Sequence, residues 1–88
     1  MERSAMTERV TLNGIHRVGL ADWKGRARWC AYNVRIWSSE HIAWWRSEAK
    51  GYTCDEAEAG IYPFPEAYDY TKHCGPEKRI AFYRVANT

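Results

Sequence analysis

Cysteine is scarce in this chain and odd in number: three in 88 residues, at Cys30, Cys54 and Cys74. An odd count without a CxxC spacing argues against a disulfide framework and for a reducing compartment. The opening stretch "MERSAMTERV" lacks the apolar centre of a secretory leader, so none is expected. Long apolar runs are missing as well, and nothing approaches the ~20 residues that a membrane-spanning helix needs. Internal repeats and low-complexity tracts are absent. The glycines at 51, 60 and 75 fit neither GxGxxG nor a P-loop, which excludes the common phosphate cradles.

Site signatures for metal and catalysis are equally thin. His16, His41, His73 and the three cysteines are capable ligands, but they are scattered, with no CxxH or HxxxH, and His73-Cys74 cannot easily aim at one ion from a helix. Cys54 and the dispersed Ser and Thr have no base at a telling spacing, although His41 and His73 are candidates in space. The expectation is therefore a chain with no catalytic residues, no metal and no cofactor, hence not an enzyme.

What the chain has is aromatic bulk and segregated charge. Five Trp, six Tyr and two Phe supply large apolar areas to a core that a chain this short must otherwise struggle to build. The net charge of +2 is too small to imply nucleic acid, but its distribution is uneven: +3 over 1–28, +1 over 29–54, −5 over 55–70 and +3 over 71–88.

Residues 1–8 read as a flexible N-terminus, and 9–88 as one domain. Asn13-Gly14 lies between two short alternating runs and predicts a hairpin over 9–18. Residues 19–28 read as a loop. "WCAYNVRIWS" (29–38) and "HIAWWRS" (41–47) predict an antiparallel strand pair. A two-residue loop at Ser39-Glu40 pairs Trp37 with Ile42 and Arg35 with Trp44. Alternation then assigns Cys30, Tyr32, Val34, Ile36, Ala43 and Trp45 to a core face. The opposite face receives Trp29, Asn33, Arg35, Trp37, Ile42, Trp44 and Arg46.

Thr53 and Glu56 have the spacing of a capping box for a short helix over 53–60, whose positive end suits Asp55, Glu56 and Glu58. Gly60 suits its left-handed stop. Pro65 suits the first turn of a second helix, expected over 65–74 and ended by Gly75-Pro76. "KRIAFYRV" (78–85) alternates as a last strand. The fold class is α+β: a small two-layer domain, an antiparallel sheet of about three to five strands with one or two short helices packed on one face.

The informative surface is the mixed face. Tryptophan beside arginine on an open sheet is how single-stranded nucleic acid is stacked, and also what protein-interface hot spots are made of. The candidate partner-binding residues are Arg35, Trp37, Trp44 and Arg46, with Asp55, Glu56 and Glu58 as an acidic edge able to meet a basic partner. The competing arrangement has residues 9–28 folded over this face, with Trp23 joining the cluster.

Trp44, Trp45, Arg46, Gly51, Tyr52, Thr53, Asp55, Ala59, Gly60 and Tyr62 form a box. It resembles W-W-R-x-x-x-x-G-Y-T-x-D-x-x-x-A-G-x-Y, a recurrent segment of short phage- and prophage-encoded bacterial proteins. With "YNVRIWSSEH" before it, the resemblance covers somewhat over a third of the chain. Two departures stand out: Ser47-Glu48 where such proteins often have Pro-Asn, and Pro63-Phe64-Pro65 in place of a simpler Tyr-Thr or Tyr-Ser helix start. The box carries no known chemistry. The context it implies is that of small phage-borne inhibitors of host defence, anti-CRISPR proteins among them. The partner would then be a host protein or ribonucleoprotein complex such as a CRISPR effector, met in the bacterial cytoplasm with no membrane involved. The alternative is a small single-stranded nucleic-acid binder that uses the Trp/Arg face directly.

Overall fold

A computed structural model describes residues 8–85. It is an α+β domain: six short antiparallel strands with three helices on one face of the sheet. The strands are β1 (Arg9–Thr11), β2 (Asn33–Ser38), β3 (Ala43–Trp45), β4 (Tyr52–Thr53), β5 (Tyr62–Pro63) and β6 (Ile80–Arg84). The helices are α1 (Leu12–Val18), α2 (Arg26–Trp29) and α3 (Phe64–Thr71). The sheet order is β1-β6-β2-β3-β4, and β5 joins the other half of the edge of β2 that β3 occupies. The expected fold class holds, with one strand and one helix more than the upper expectation. The expected loose segment at 1–8 lies outside the described residues except for Glu8, whose carboxylate bridges Arg28 at 2.8 Å and Arg84 at 3.2 Å.

The expected 9–18 hairpin is a strand followed by a helix. The Thr11 hydroxyl accepts the Gly14 N–H at 3.0 Å and caps α1, so Asn13 and Gly14 lie in its first turn. Leu12 and Ile15, three apart, both reach the core, which a two-fold period would not allow. Gly19, at φ +88°, ends the helix.

The strand expected from residue 29 begins at Asn33 instead. Trp29 ends α2 and is buried, packing with Trp23, Tyr32 and Phe64 at centroid distances of 6.2, 5.3 and 5.8 Å. Burying so large a ring outweighs the β propensity of the aromatic run. Cys30 consequently caps α2 and is exposed, away from the core face expected for it.

β2 alternates strictly: Val34, Ile36 and Ser38 are buried, and Asn33, Arg35 and Trp37 are half-buried on the other side. Its pairing with β3 is slipped by two residues from the expected register, with Trp37 opposite Trp44 and Ser38 opposite Ala43. An even slip keeps every strand residue on its face. It places Ser39, Glu40, His41 and Ile42 in the turn, held by backbone bonds from Ser39 to Arg79 and from Glu40 to Lys78. Ile42 is therefore on neither face.

The helix expected over 53–60 is a single 3-10 turn, Glu56–Glu58, capped by Asp55 rather than Thr53. α3 ends at Thr71, earlier than expected, where the Thr71 hydroxyl donates back to the Ala67 carbonyl at 2.9 Å.

Leu12, Ile15, Trp29, Val34, Ile36, Tyr62, Phe64, Ala67, Ile80 and Phe82 form one core between sheet and helices. Phe82 meets Phe64 edge-on at 5.4 Å, tying the central strand pair to α3. Among the described residues no helix is long and apolar enough to cross a membrane.

Candidate partner-binding face

Strand pairing arranges the second face of the sheet in rows, because directly opposed residues share a side. One row runs Arg9–Tyr83–Arg35 across β1, β6 and β2. The next runs Thr11–Ala81–Trp37–Trp44–Thr53 across five strands. Trp37, Trp44 and Tyr83 are half-buried and form a connected cluster, with Trp37–Trp44 centroids 5.0 Å and Trp44–Tyr83 centroids 5.3 Å apart, both edge-to-face. The Trp37 indole N–H donates to the Ser39 hydroxyl at 3.0 Å, which fixes that ring. The Arg9 guanidinium lies 5.6 Å from the centre of the Tyr83 ring.

Residues 9–28 do not cover this face in the way the competing arrangement required. Leu12 and Ile15 of α1, Trp29 of α2, and Trp23 between the helices all pack on the core side, with Trp23 5.8 Å from Phe64. Arg9 and Thr11 join the face as members rather than as a cover.

The two sets of candidate residues meet along one margin. Arg35 pairs with Glu56 at 3.5 Å and Arg46 with Glu58 at 3.2 Å. The arginines are thus partly neutralised by the acidic turn, a juxtaposition no sequence spacing displayed. The expected cross-strand pairing of Arg35 with Trp44 is replaced by the indole pair and this carboxylate. Asp55 accepts the Ala57 N–H at 3.0 Å, so its carboxylate serves the turn. Trp29 and Ile42, expected on this face, are in the core and at the hairpin tip.

Tyr83 and Arg9 went unremarked as site residues in the sequence. The alternation of 78–85 put Tyr83 beside Ala81 but could not say which strand would lie alongside. The hairpin reading of 9–18 obscured Arg9.

The stretch 44–62 folds as one closed unit behind this margin. Trp44 opposes Thr53 and Trp45 opposes Tyr52, with the chain reversing through left-handed Glu48 and Ala49 and through Gly51 at φ +106°. The Thr53 hydroxyl accepts the Asp55 N–H and donates to Glu58, each at 3.1 Å. Gly60 donates to the Trp45 carbonyl at 2.9 Å and passes so close to Arg46–Ser47 that a Cβ would stand 2.6 Å from the Ser47 nitrogen. The buried Tyr62 hydroxyl donates to the Arg46 carbonyl and accepts the Ala49 N–H at 3.0 Å. Burial raises the Tyr62 pKa above its ordinary 10.0, against the opposing pull of the Ala49 bond. Most residues of the box thus hold backbone in place.

Elsewhere, a pocket beside α1, lined by residues including Leu12, His16, Cys74 and Ile80, has room for little more than a water. Burial pushes the Cys74 thiol up, with Lys78 opposing. The fully buried Ser38 hydroxyl lies 3.2 Å from His41 Nδ1, and the His41 ring stacks on Tyr52 at 4.2 Å. A hydroxyl sealed from solvent cannot attack an external substrate, so this pair reads as structural. No three His, Cys, Asp or Glu among the described residues are grouped to hold a metal ion.

Fold and face together define a small α+β domain with one side of its sheet turned outward. No protein-family model, curated protein or solved structure matches the chain.

Proposed function

We propose that this is a non-enzymatic binding protein that docks a protein partner through the outward face of its sheet. The observation that carries the reading is the connected Trp37–Trp44–Tyr83 cluster, half-buried and flanked by Arg9 and Arg35, on the side away from the helices. Tryptophan, tyrosine and arginine in a central cluster are what interface hot spots are built from. The resemblance of residues 44–62 to phage- and prophage-borne proteins supplies the context. The partner in this reading is a host defence complex in the bacterial cytoplasm, such as a CRISPR effector, whose nucleic-acid-binding surface is occluded as by an anti-CRISPR protein.

Direct single-strand binding, the second reading, is less favoured by the geometry. Stacking platforms need ring faces free for bases, whereas these rings pack against one another at 71°. Glu56 and Glu58 stand against the two arginines that would grip phosphate.

The test is affinity capture from a bacterial lysate with three forms of the whole protein: unaltered, Trp44→Ala, and Ile61→Ala as a control at an exposed position outside the cluster. The expected result is one host complex retained by the unaltered and Ile61→Ala forms and lost with Trp44→Ala. Capture indifferent to Trp44, or none at all, refutes the reading. Tryptophan quenching by an oligonucleotide, weakening steeply with salt, would favour the second one.

A further inference from the structure

Two arginines flank one tyrosine in a cross-strand row of the docking face. Arg9 and Arg35 are the direct cross-strand neighbours of Tyr83 on either side, which sets their backbones about 10 Å apart at ordinary strand spacing. The two arginines differ in their state. Arg9 lies towards the Tyr83 ring and is exposed. Arg35 is half-buried, and its Nε is shielded from solvent with no acceptor among the described residues. Its one carboxylate contact, from Nη1 to Glu56, is long at 3.5 Å, and the Glu56 side chain is 63% exposed. Guanidinium groups bind carboxylates best through two parallel bonds. Arg35 holds a single loose one and has a buried donor unused.

We propose that this row is a carboxylate-binding site for an acidic segment of the protein partner, and that Glu56 is its displaceable internal occupant. The proposal rests on the docking-face reading above and adds the chemistry of what docks. An incoming carboxylate displaces Glu56 from the Arg35 Nη1, while a second meets Arg9 across the Tyr83 ring. Charge complementarity selects protein over nucleic acid here. Glu56, 3.5 Å from Arg35, and the neighbouring Asp55 and Glu58 of the same turn repel a continuous phosphodiester chain. A protein surface can set its acidic groups on the arginine row and basic ones on that margin.

The test measures binding of a fluorescein-labelled peptide in which glutamate pairs alternate with lysine pairs, and separately of labelled oligothymidylate, to the full chain by anisotropy. Arg9→Gln and Arg35→Gln should each weaken binding of the mixed-charge peptide several-fold, while Arg17→Gln, which removes the same charge from α1, leaves it unchanged. Glu56→Gln should tighten it about threefold, the size expected for freeing one exposed ion pair. Because Glu56 is exposed, this variant keeps the test valid should Arg35→Gln fail to fold. Equal losses from Arg17→Gln and Arg35→Gln, no gain from Glu56→Gln, or tighter binding of oligothymidylate through the same arginines would each overturn the carboxylate assignment. If lysate capture still depends on Trp44 while Glu56→Gln changes nothing, the chemistry is wrong and the face stands. Capture that ignores Trp44 removes the face itself.

Discussion

Replacing Gly60 with alanine adds one methyl group where the chain crosses its own backbone. The new Cβ would stand 2.6 Å from the Ser47 nitrogen, 2.7 Å from its Cα and 2.9 Å from the Arg46 carbonyl carbon, whereas ordinary contact begins near 3.4 Å. Backbone cannot rotate out of the way as a side-chain tip can. The two strands of chain must separate by about 0.8 Å, the shortfall at the closest atom. That separation strains the Gly60 N–H to Trp45 carbonyl bond, now 2.9 Å, and the two bonds that the Tyr62 hydroxyl makes to the same loop. Overpacking costs about 1–3 kcal/mol, and a buried hydrogen bond left unmade adds about 1–3 kcal/mol. The expected loss is roughly 2–6 kcal/mol, a large part of a small domain's stability.

Urea unfolding followed by tryptophan fluorescence reads this directly as a lower midpoint at unchanged slope. A thermal melt should fall by about 8 °C or more, since 1 kcal/mol moves a domain of this size by about 4–8 °C. Gly19→Ala is the companion variant: its φ of +88° penalises any side chain, but nothing lies within 4 Å of an added Cβ. It isolates backbone strain from steric conflict, and about 1 kcal/mol is expected there. A Gly60→Ala loss below 0.5 kcal/mol would show that the 44–62 unit is not closed by this crossing.

Two other perturbations probe the same region. Tyr62→Phe keeps the ring in the core but removes both hydroxyl bonds, and should cost about 1–3 kcal/mol at neutral pH by chemical denaturation. It should also flatten the alkaline limb. Tyr62 has a folded-state pKa above its ordinary 10.0, so the unfolded chain ionises first, and stability is full below about pH 10 and declines as pH rises through the folded value. An unchanged alkaline decline in Tyr62→Phe refutes that assignment. At the hairpin tip, β-branched Ile42 sits at φ +53° with 71% of its surface exposed. Ile42→Asn should stabilise by about 1 kcal/mol, because asparagine tolerates the left-handed region and little burial is lost. A destabilised variant would mean that Ile42 packs where the structure shows it open.

Period-two alternation at Val34, Ile36 and Trp37, and again at Ile80, Phe82 and Tyr83, was readable because a strand's faces depend only on parity. The two-residue slip between β2 and β3 was not readable, since both registers satisfy that parity. Only pairing with β6 and the four-residue turn chose between them, and the choice put Trp44 on Trp37 instead of Arg35. Asn13-Gly14 misled because a local turn preference is worth less than a Thr11 cap combined with the burial of Leu12 and Ile15. Trp29 misled for the same reason at larger scale. The acidic character of 55–58 was plain, yet the contacts of Glu56 and Glu58 with Arg35 and Arg46 join residues 12 to 21 positions apart through a fold-back.

Composition and alternation were enough to establish an α+β domain with an aromatic core and an antiparallel sheet, because burial of apolar area and the two-fold pleat act over a few neighbouring residues. The row Arg9–Tyr83–Arg35 belongs to the tertiary structure alone. Its members come from the beginning, the end and the middle of the chain, and only the hydrogen-bonded order β1-β6-β2 sets them side by side.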